Sequence, residues 1–277
     1  MNLKKIRVKT IDNLFLDGLL YKSKNKAETV IINIHGTAGN FYIHNFIDKM
    51  AVEYTKDNID FMAVNNRGHD FISELQQANL KRTRIIGYTY EKFEDCVYDI
   101  KAWINFASKL KYKKIILQGH SLGAIKSTYY AYKTKDKRLS GLILASPPDI
   151  VGLFYRKEKP FNITKDLMLI KNRDNFQLIS KNTFNSLRKK NGPADIFNTY
   201  DPNKTSALKE IDIPILAFFG DQQEATIMEP SKTLKILYEK SQKINFSFKV
   251  ITGANHIYYK KEKNVAKLVV SWVKKQF

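Results

Sequence analysis

The stretch Lys114-Ile115-Ile116-Leu117-Gln118-Gly119-His120-Ser121-Leu122-Gly123 decides how this chain folds. Its first five residues read as a short buried strand, and a helical pattern runs from Leu122 to about Tyr132. Between them lies Gly-x-Ser-x-Gly, a tight strand-to-helix turn. Such a turn carries its serine in a strained conformation, with the hydroxyl projecting above the sheet edge. Strand and helix cross closely beside it, which leaves little room for side chains at Gly119 and Gly123. The first N–H groups of the new helix face developing negative charge. A lone Gly-x-Ser-x-Gly is common by chance. The strand before it and the helix after it make Ser121 the candidate nucleophile.

Outward from this turn, strands and helices alternate. Thr29 to Ile34 is a nearly continuous apolar run, as expected of a strand buried on both faces of a parallel sheet. A helix is expected over Phe41 to Tyr54, with Phe46, Ile47, Met50 and Tyr54 on one face and His44 within it. Ile59 to Val64 reads as the next strand. Glu91 to Leu110 is the clearest helix, with Phe93, Val97, Ile100, Ile104 and Ala107 at helical spacing. Leu142 to Ala145, Ile213 to Phe219 and Phe246 to Ile251 read as further strands. Pro230 and Ser231 start a helix between the last two. The final helix places Val265, Leu268, Val269, Trp272 and Val273 on one face. At the other end, Ile6 to Thr10 and Leu14 to Tyr21 form two strands joined at Asp12-Asn13. The alternation predicts an α/β fold with a mostly parallel sheet covered by helices on both sides. The segment from Asp70 to about Tyr90 reads as irregular. Residues 147–210 show short helical patterns and no convincing strand, too long for a plain loop. They are read as a helical cap or lid inserted into a core made of 1–146 and 211–277.

The polar residues at the strand ends supply the rest of a candidate site. His35-Gly36-Thr37 follows a buried strand, where a backbone N–H can join that of the residue after the nucleophile in holding an oxyanion. Those donors are Thr37 and Leu122. A serine nucleophile needs a general base. The chain has five histidines. His35 precedes the oxyanion loop, His44 falls in a helix and His69 in a polar turn. The side chain of His120 is expected to be carried away from the serine's partner. His256, in Gly253-Ala254-Asn255-His256 after the last strand, is the candidate base. The candidate acids are Glu224 first, then Asp221, both in the loop after Phe219-Gly220. Asp149, at the end of the preceding strand, is the third.

Composition limits the alternatives. The chain has 277 residues and a net charge of +20. Its basic residues are mainly lysine and are spread along the whole length, so a nucleic-acid footprint is not expected. No apolar stretch has the length of a membrane helix, and no membrane partner is expected. The basic N-terminus lacks a following apolar signal core, so a cytoplasmic location is expected. Cys96 is the only cysteine, which excludes an intrachain disulfide. It sits in a helix pattern and is read as packing. No spacing of His or Cys suggests a metal, and no phosphate loop suggests a cofactor.

Over nearly its full length the sequence resembles the α/β-hydrolase superfamily. The residues that carry the resemblance are His35-Gly36, Asn66-Arg67-Gly68-His69, Gly119 to Gly123, Ser146-Pro147-Pro148, Gly220 with its acidic loop, and Asn255-His256. It is similar to bacterial hydrolases of that superfamily and, more distantly, to siderophore esterases. The resemblance implies an eight-stranded, mainly parallel sheet with a cap after the sixth strand. It also implies the chain order serine, acid, histidine, which His256 fits. Many relatives carry an Asp three residues after the glycine, where this chain has the neutral Gln223. The implied activity is that of a serine hydrolase, foremost a carboxylesterase, cleaving an ester, thioester or amide through an acyl-enzyme. The expected partner is a small acyl substrate, with an anionic group suggested by the basic cap. An acyltransferase, a peptidase or a biosynthetic thioesterase is the alternative on the same fold. A ligand-binding protein with a decayed triad is a third reading, suggested by Gln223.

Overall fold

Thr29–Ile34 is buried over five of its six residues. That burial follows from its place near the centre of an eight-stranded sheet. The computed structural model of the chain describes residues 2–43, 45–79, 82–157, 159–171 and 176–277. His44, expected within the first helix, lies outside the described residues.

The chain begins with a hairpin of β1 (Asn2–Lys9) and β2 (Phe15–Lys22). Asn13 turns it with a positive φ of 66°, a conformation asparagine tolerates. β3 (Thr29–Ile34), α1 (Asn45–Lys56) and β4 (Ile59–Val64) follow. The segment after Asp70, expected to be irregular, contains a small hairpin of β5 (Ser73–Gln76) and β6 (Thr83–Ile86). Each strand has four residues and buries only one, Leu75 or Ile86, too little for an alternating pattern to show. α2 (Cys96–Lys109), β7 (Lys114–His120), α3 (Leu122–Thr134) and β8 (Leu139–Ala145) complete the first part of the core.

Between β8 and the return to the sheet, the expectation of a purely helical insertion is corrected. α4 (Ile150–Lys157) is followed by β9 (Lys159–Asn162), β10 (Leu167–Lys171) and β11 (Phe176–Ser180), and then by α5 (Lys181–Arg188). The three strands form an antiparallel sheet of their own. β9 is exposed throughout and contains Pro160, and β10 is apolar from Leu167 to Ile170 before ending in Lys171; neither alternates as a half-buried strand does. The chain then re-enters the core as β12 (Ile215–Gly220), α6 (Pro230–Ser241), β13 (Phe246–Ile251) and α7 (Glu262–Gln276).

The main sheet has the order β1-β2-β4-β3-β7-β8-β12-β13. β2 is antiparallel to both its neighbours, and every pairing from β4 to β13 is parallel. The carboxyl ends of β3, β7, β8, β12 and β13 therefore share one edge, where loops from separate parts of the chain converge. Helices cover both faces. One apolar layer joins α1 and α7 to the sheet through Phe46, Met50, Val269 and Trp272. The other joins α2, α3 and α6 through Trp103, Ile125, Leu234 and Leu237. Burying each such side chain contributes on the order of 1.5–3 kcal/mol, so the sheet is held rigidly beneath its loops. Cys96 is buried in α2 and packs there.

Candidate active site

Ser121 sits between β7 and α3 with φ 54° and ψ −124°, a strained conformation for a residue with a side chain. Its N–H donates to Ala145 O at 2.9 Å, and its carbonyl accepts from Ala124 N at 2.8 Å, which pins the turn. The flanking glycines are steric requirements. A Cβ on Gly119 would lie 2.2 Å from Gly123 O, and one on Gly123 would lie 2.1 Å from Ile34 O. Leu122 is the first residue of α3, so its N–H lies outside the intrahelical ladder. The loop after β3 passes equally close: a Cβ on Gly36 would meet Ser121 Cβ at 2.9 Å. Thr37 follows and lines the same cavity as Ser121.

The structure brings His256 and Glu224 together. His256 Nδ1 lies 2.7 Å from Glu224 Oε2, with the carboxylate buried and the imidazole partly exposed. The other carboxylate oxygen, Oε1, accepts from Ser146 Oγ at 2.7 Å and from Gly220 N at 2.8 Å. Ser146 Oγ also shares a 2.6 Å hydrogen bond with Tyr258 OH. Burial, reinforced by the charge on Glu224, pushes the Tyr258 phenol well above its usual pKa and keeps it neutral. Glu224 is thus held by two donors on one oxygen while the other stays aimed at the imidazole.

The other candidate acids are engaged elsewhere. Asp221 Oδ1 accepts from Gly253 N at 2.8 Å, tying the loop after β12 to the loop after β13. Asp149 accepts from Gly152 N at 3.0 Å and from the Thr199 amide and hydroxyl at 2.6 and 2.7 Å. It fastens the start of α4 to the end of the insertion. Gln223 occupies a turn with a positive φ of 52°.

The remaining described histidines have separate duties. His35 is buried; its Nδ1–H donates to Gly36 O and its Nε2 accepts from Asn66 N, both at 2.9 Å. Burial pushes its pKa down to about 3, so the ring is a neutral strut for the loop after β3. His69 Nδ1 lies 2.8 Å from Asp70 Oδ2. His120 lies nearer the candidate base than expected. Its Nε2 donates to His256 O at 2.8 Å, and the two ring centroids are 4.9 Å apart. Residue 120 points to the sheet face opposite its neighbours. There Tyr258 and Phe46 pack against it, and the loop bearing His256 crosses above. Arg67 is fully buried among Asp12, Asp95 and Asp99 and organises the core rather than the cavity.

Ser121, Thr37 and His256 line one cavity of about 540 Å³. Its other walls come partly from the insertion, through Ile150, Leu153, Gln177 and Arg188. Sequence reasoning gave no role to Ser146, Tyr258 or Arg188. The one available signal was the position of Ser146 at a parallel strand's carboxyl end. Among the described residues, no group of three or more His, Cys, Asp or Glu is placed to hold a metal ion. No helix among them is long and apolar enough to cross a membrane.

A strained serine at the carboxyl edge of a parallel sheet, an apposed glycine loop and a His–Glu pair define a class, and the comparisons agree on it. The alpha/beta hydrolase fold family matches residues 29–202, and the chain belongs to that family. Its fold is similar to that of the esterase Est1E from Butyrivibrio proteoclasticus, solved with ferulic acid bound. The two are 20% identical, with a TM-score of 0.70 over 97% of this chain and 98% of that one. It is also similar to an esterase domain from a Rhodothermus marinus protein, at 14% identity and a TM-score of 0.66 over 99% of each chain. A Pyrococcus furiosus esterase is 16% identical, with a TM-score of 0.64 over 100% of this chain and 92% of that one. No curated protein matches the chain in sequence.

Proposed function

We propose that this chain is a serine hydrolase that cleaves a carboxylic ester through an acyl-enzyme. The observation that carries this reading is the 2.7 Å contact of His256 Nδ1 with Glu224 Oε2, at a cavity that His256 shares with the strained Ser121. The esterases of similar fold support the same class of reaction.

In this reading the Nδ1–H of His256 donates to Glu224, which leaves Nε2 as the base. Nε2 takes the proton of Ser121 as Oγ attacks the ester carbonyl. The amides of Thr37 and Leu122 hold the tetrahedral oxyanion. The imidazolium, stabilised by Glu224, returns its proton to the departing alcohol. Water then enters by the same base and releases the acid. Acyl transfer, peptide cleavage or thioester release would use the same groups and differ only in the acceptor or the leaving group.

Hydrolysis of 4-nitrophenyl esters of graded acyl length tests the proposal. Turnover is expected in the wild type, and Ser121→Ala is expected to lower kcat by about 10⁴–10⁶-fold. Equal turnover by the two proteins, or none by the wild type against esters, thioesters and amides alike, would contradict it.

A further inference from the structure

One polar pair interrupts the apolar strands beneath the cavity, and ester cleavage does not in itself use it. Asn33 stands between Ile32 and Ile34 in β3, directly opposite Gln118 of β7 in the parallel register. It is 2% exposed and lines the cavity that Ser121 and His256 also line. We infer that the Asn33 amide nitrogen, Nδ2, binds an uncharged oxygen acceptor in the acyl or alcohol part of the substrate, beyond the scissile ester. This rests on the hydrolase reading of the site and names the substrate class within it.

Three observations lead there. First, a relay fixes which end of the amide is left open. Tyr54 Oη donates to Gln118 Oε1 at 2.9 Å, and Gln118 Nε2 donates to Asn33 Oδ1 at 3.1 Å. Burial pushes the Tyr54 phenol above its usual pKa, so it stays a donor and sets the order of the relay. The Asn33 oxygen is thereby taken up, and Nδ2 carries the two remaining donors. Second, Nδ2 has no partner among the described residues. Buried polar groups are as a rule paired, so an open pair of donors on a central strand marks a place for a ligand. Buried His35 and Asn40, which line the same cavity, are by contrast engaged. His35 uses both ring nitrogens; Asn40 accepts from Tyr42 N and Ile43 N and donates to Asp70 Oδ1. Gln177 lines the cavity too but is only half-buried, so water can serve its amide. Third, Phe46 and Ile47 are buried and give the cavity an apolar wall. An uncharged partner suits such surroundings, because a carboxylate would lose its hydration there. A saturated chain in the same place would leave the amide unpaired, which is how a polar site rejects an analogue that lacks the matching group.

Binding, rather than turnover, tests the inference. Two ester series are titrated calorimetrically into Ser121→Ala. One is methyl nonanoate with its oxo derivatives, the ketone moved one carbon at a time along the acyl chain. The other is nonyl acetate with the ketone moved likewise along the alcohol. At least one oxo ester is expected to bind about tenfold or more tightly than its saturated parent. Adding Asn33→Leu is expected to abolish that preference by weakening the oxo ester and not the parent. Asn33→Ala gives the same reading if the leucine variant does not fold. No preference for any oxo ester in Ser121→Ala overturns the inference and leaves the amide to water. A preference that survives loss of the Asn33 amide overturns it as well. The first of these outcomes needs no Asn33 variant to fold. Fluorophosphonate labelling of the wild type reads the hydrolase proposal separately. Labelling without oxo-ester preference removes only the inference, and oxo-ester preference without labelling removes only the hydrolase.

Discussion

Glu224 Oε2 meets His256 Nδ1 at 2.7 Å, although Glu224 stands one residue beyond the neutral Gln223. The longer glutamate side chain, anchored on Gly220 N and Ser146 Oγ, reaches the imidazole from the later position. If Glu224 stabilises the imidazolium, Glu224→Gln is expected to lower kcat by about 10³–10⁴-fold with little change in KM. Asp221→Asn, which alters only the loop tie to Gly253, is expected to stay within about tenfold of wild type. Steady-state kinetics on one good ester reads both. The reverse ranking would move the acid to Asp221.

The support behind Glu224 is separable from the acid itself. Ser146→Ala removes one donor to the carboxylate and leaves the buried Tyr258 hydroxyl short of its partner. We expect a loss of about 1–3 kcal/mol in stability and a fall in kcat of about tenfold. Adding Tyr258→Phe is expected to restore part of the stability, because no hydroxyl is then stranded, but none of the kcat. Denaturant unfolding and kinetics on the single and double variants check this. A double variant no more stable than Ser146→Ala would show that Tyr258 does not depend on Ser146.

Much of this arrangement is legible in the sequence, and the unread parts share a physical cause. β3 and β7 were readable because strands buried on both faces form continuous apolar runs. Ser121 was readable because the glycines that its turn requires lie beside it in the chain. Glu224 and His256 came from their place after β12 and β13. Ser146 and Tyr258 were not readable in their roles. Ser146 is separated from Glu224 by 78 residues and from Tyr258 by 112, and a hydrogen bond across such distances leaves no local pattern. Arg188 has the same difficulty, since its part in the cavity depends on how the insertion folds back. The strands β9 to β11 escaped notice because they are short and lie largely at the surface, so tertiary contact rather than alternation defines them.

Gly36 allows the loop after β3, the proposed oxyanion loop, to approach Ser121. A methyl group there would sit 2.9 Å from Ser121 Cβ and 3.1 Å from His120 O, so one of the two loops must shift. Gly36→Ala is expected to lower kcat by about 10²-fold or more, the size of effect that follows loss of an oxyanion donor. Its melting temperature is expected to fall only modestly, because the change lies at the cavity rim. Unchanged kcat would show that the loop takes no part in the reaction.

His35 makes stability depend on pH. Its folded pKa of about 3 lies below the 6.5 of an unfolded histidine. Between those values the unfolded chain binds a proton that the folded one refuses. The contribution of a neutral His35 is therefore complete above pH 6.5 and is lost as the pH falls toward 3. At pH 5 this amounts to about 2 kcal/mol. In denaturant unfolding at pH 7.5 and pH 5, His35→Gln is expected to lose about that much less than the wild type on acidification. Equal losses in the two proteins would contradict a neutral, buried His35.

The most direct test of the central claim is labelling by a fluorophosphonate probe, followed by mass spectrometry of the modified peptide. The wild type is expected to take up one probe per chain, on Ser121. Ser121→Ala is expected to take up none, and His256→Ala to react at least about 10³-fold more slowly. A folded wild type that stays unlabelled, or one labelled at another residue, would contradict the assignment of Ser121 as the nucleophile.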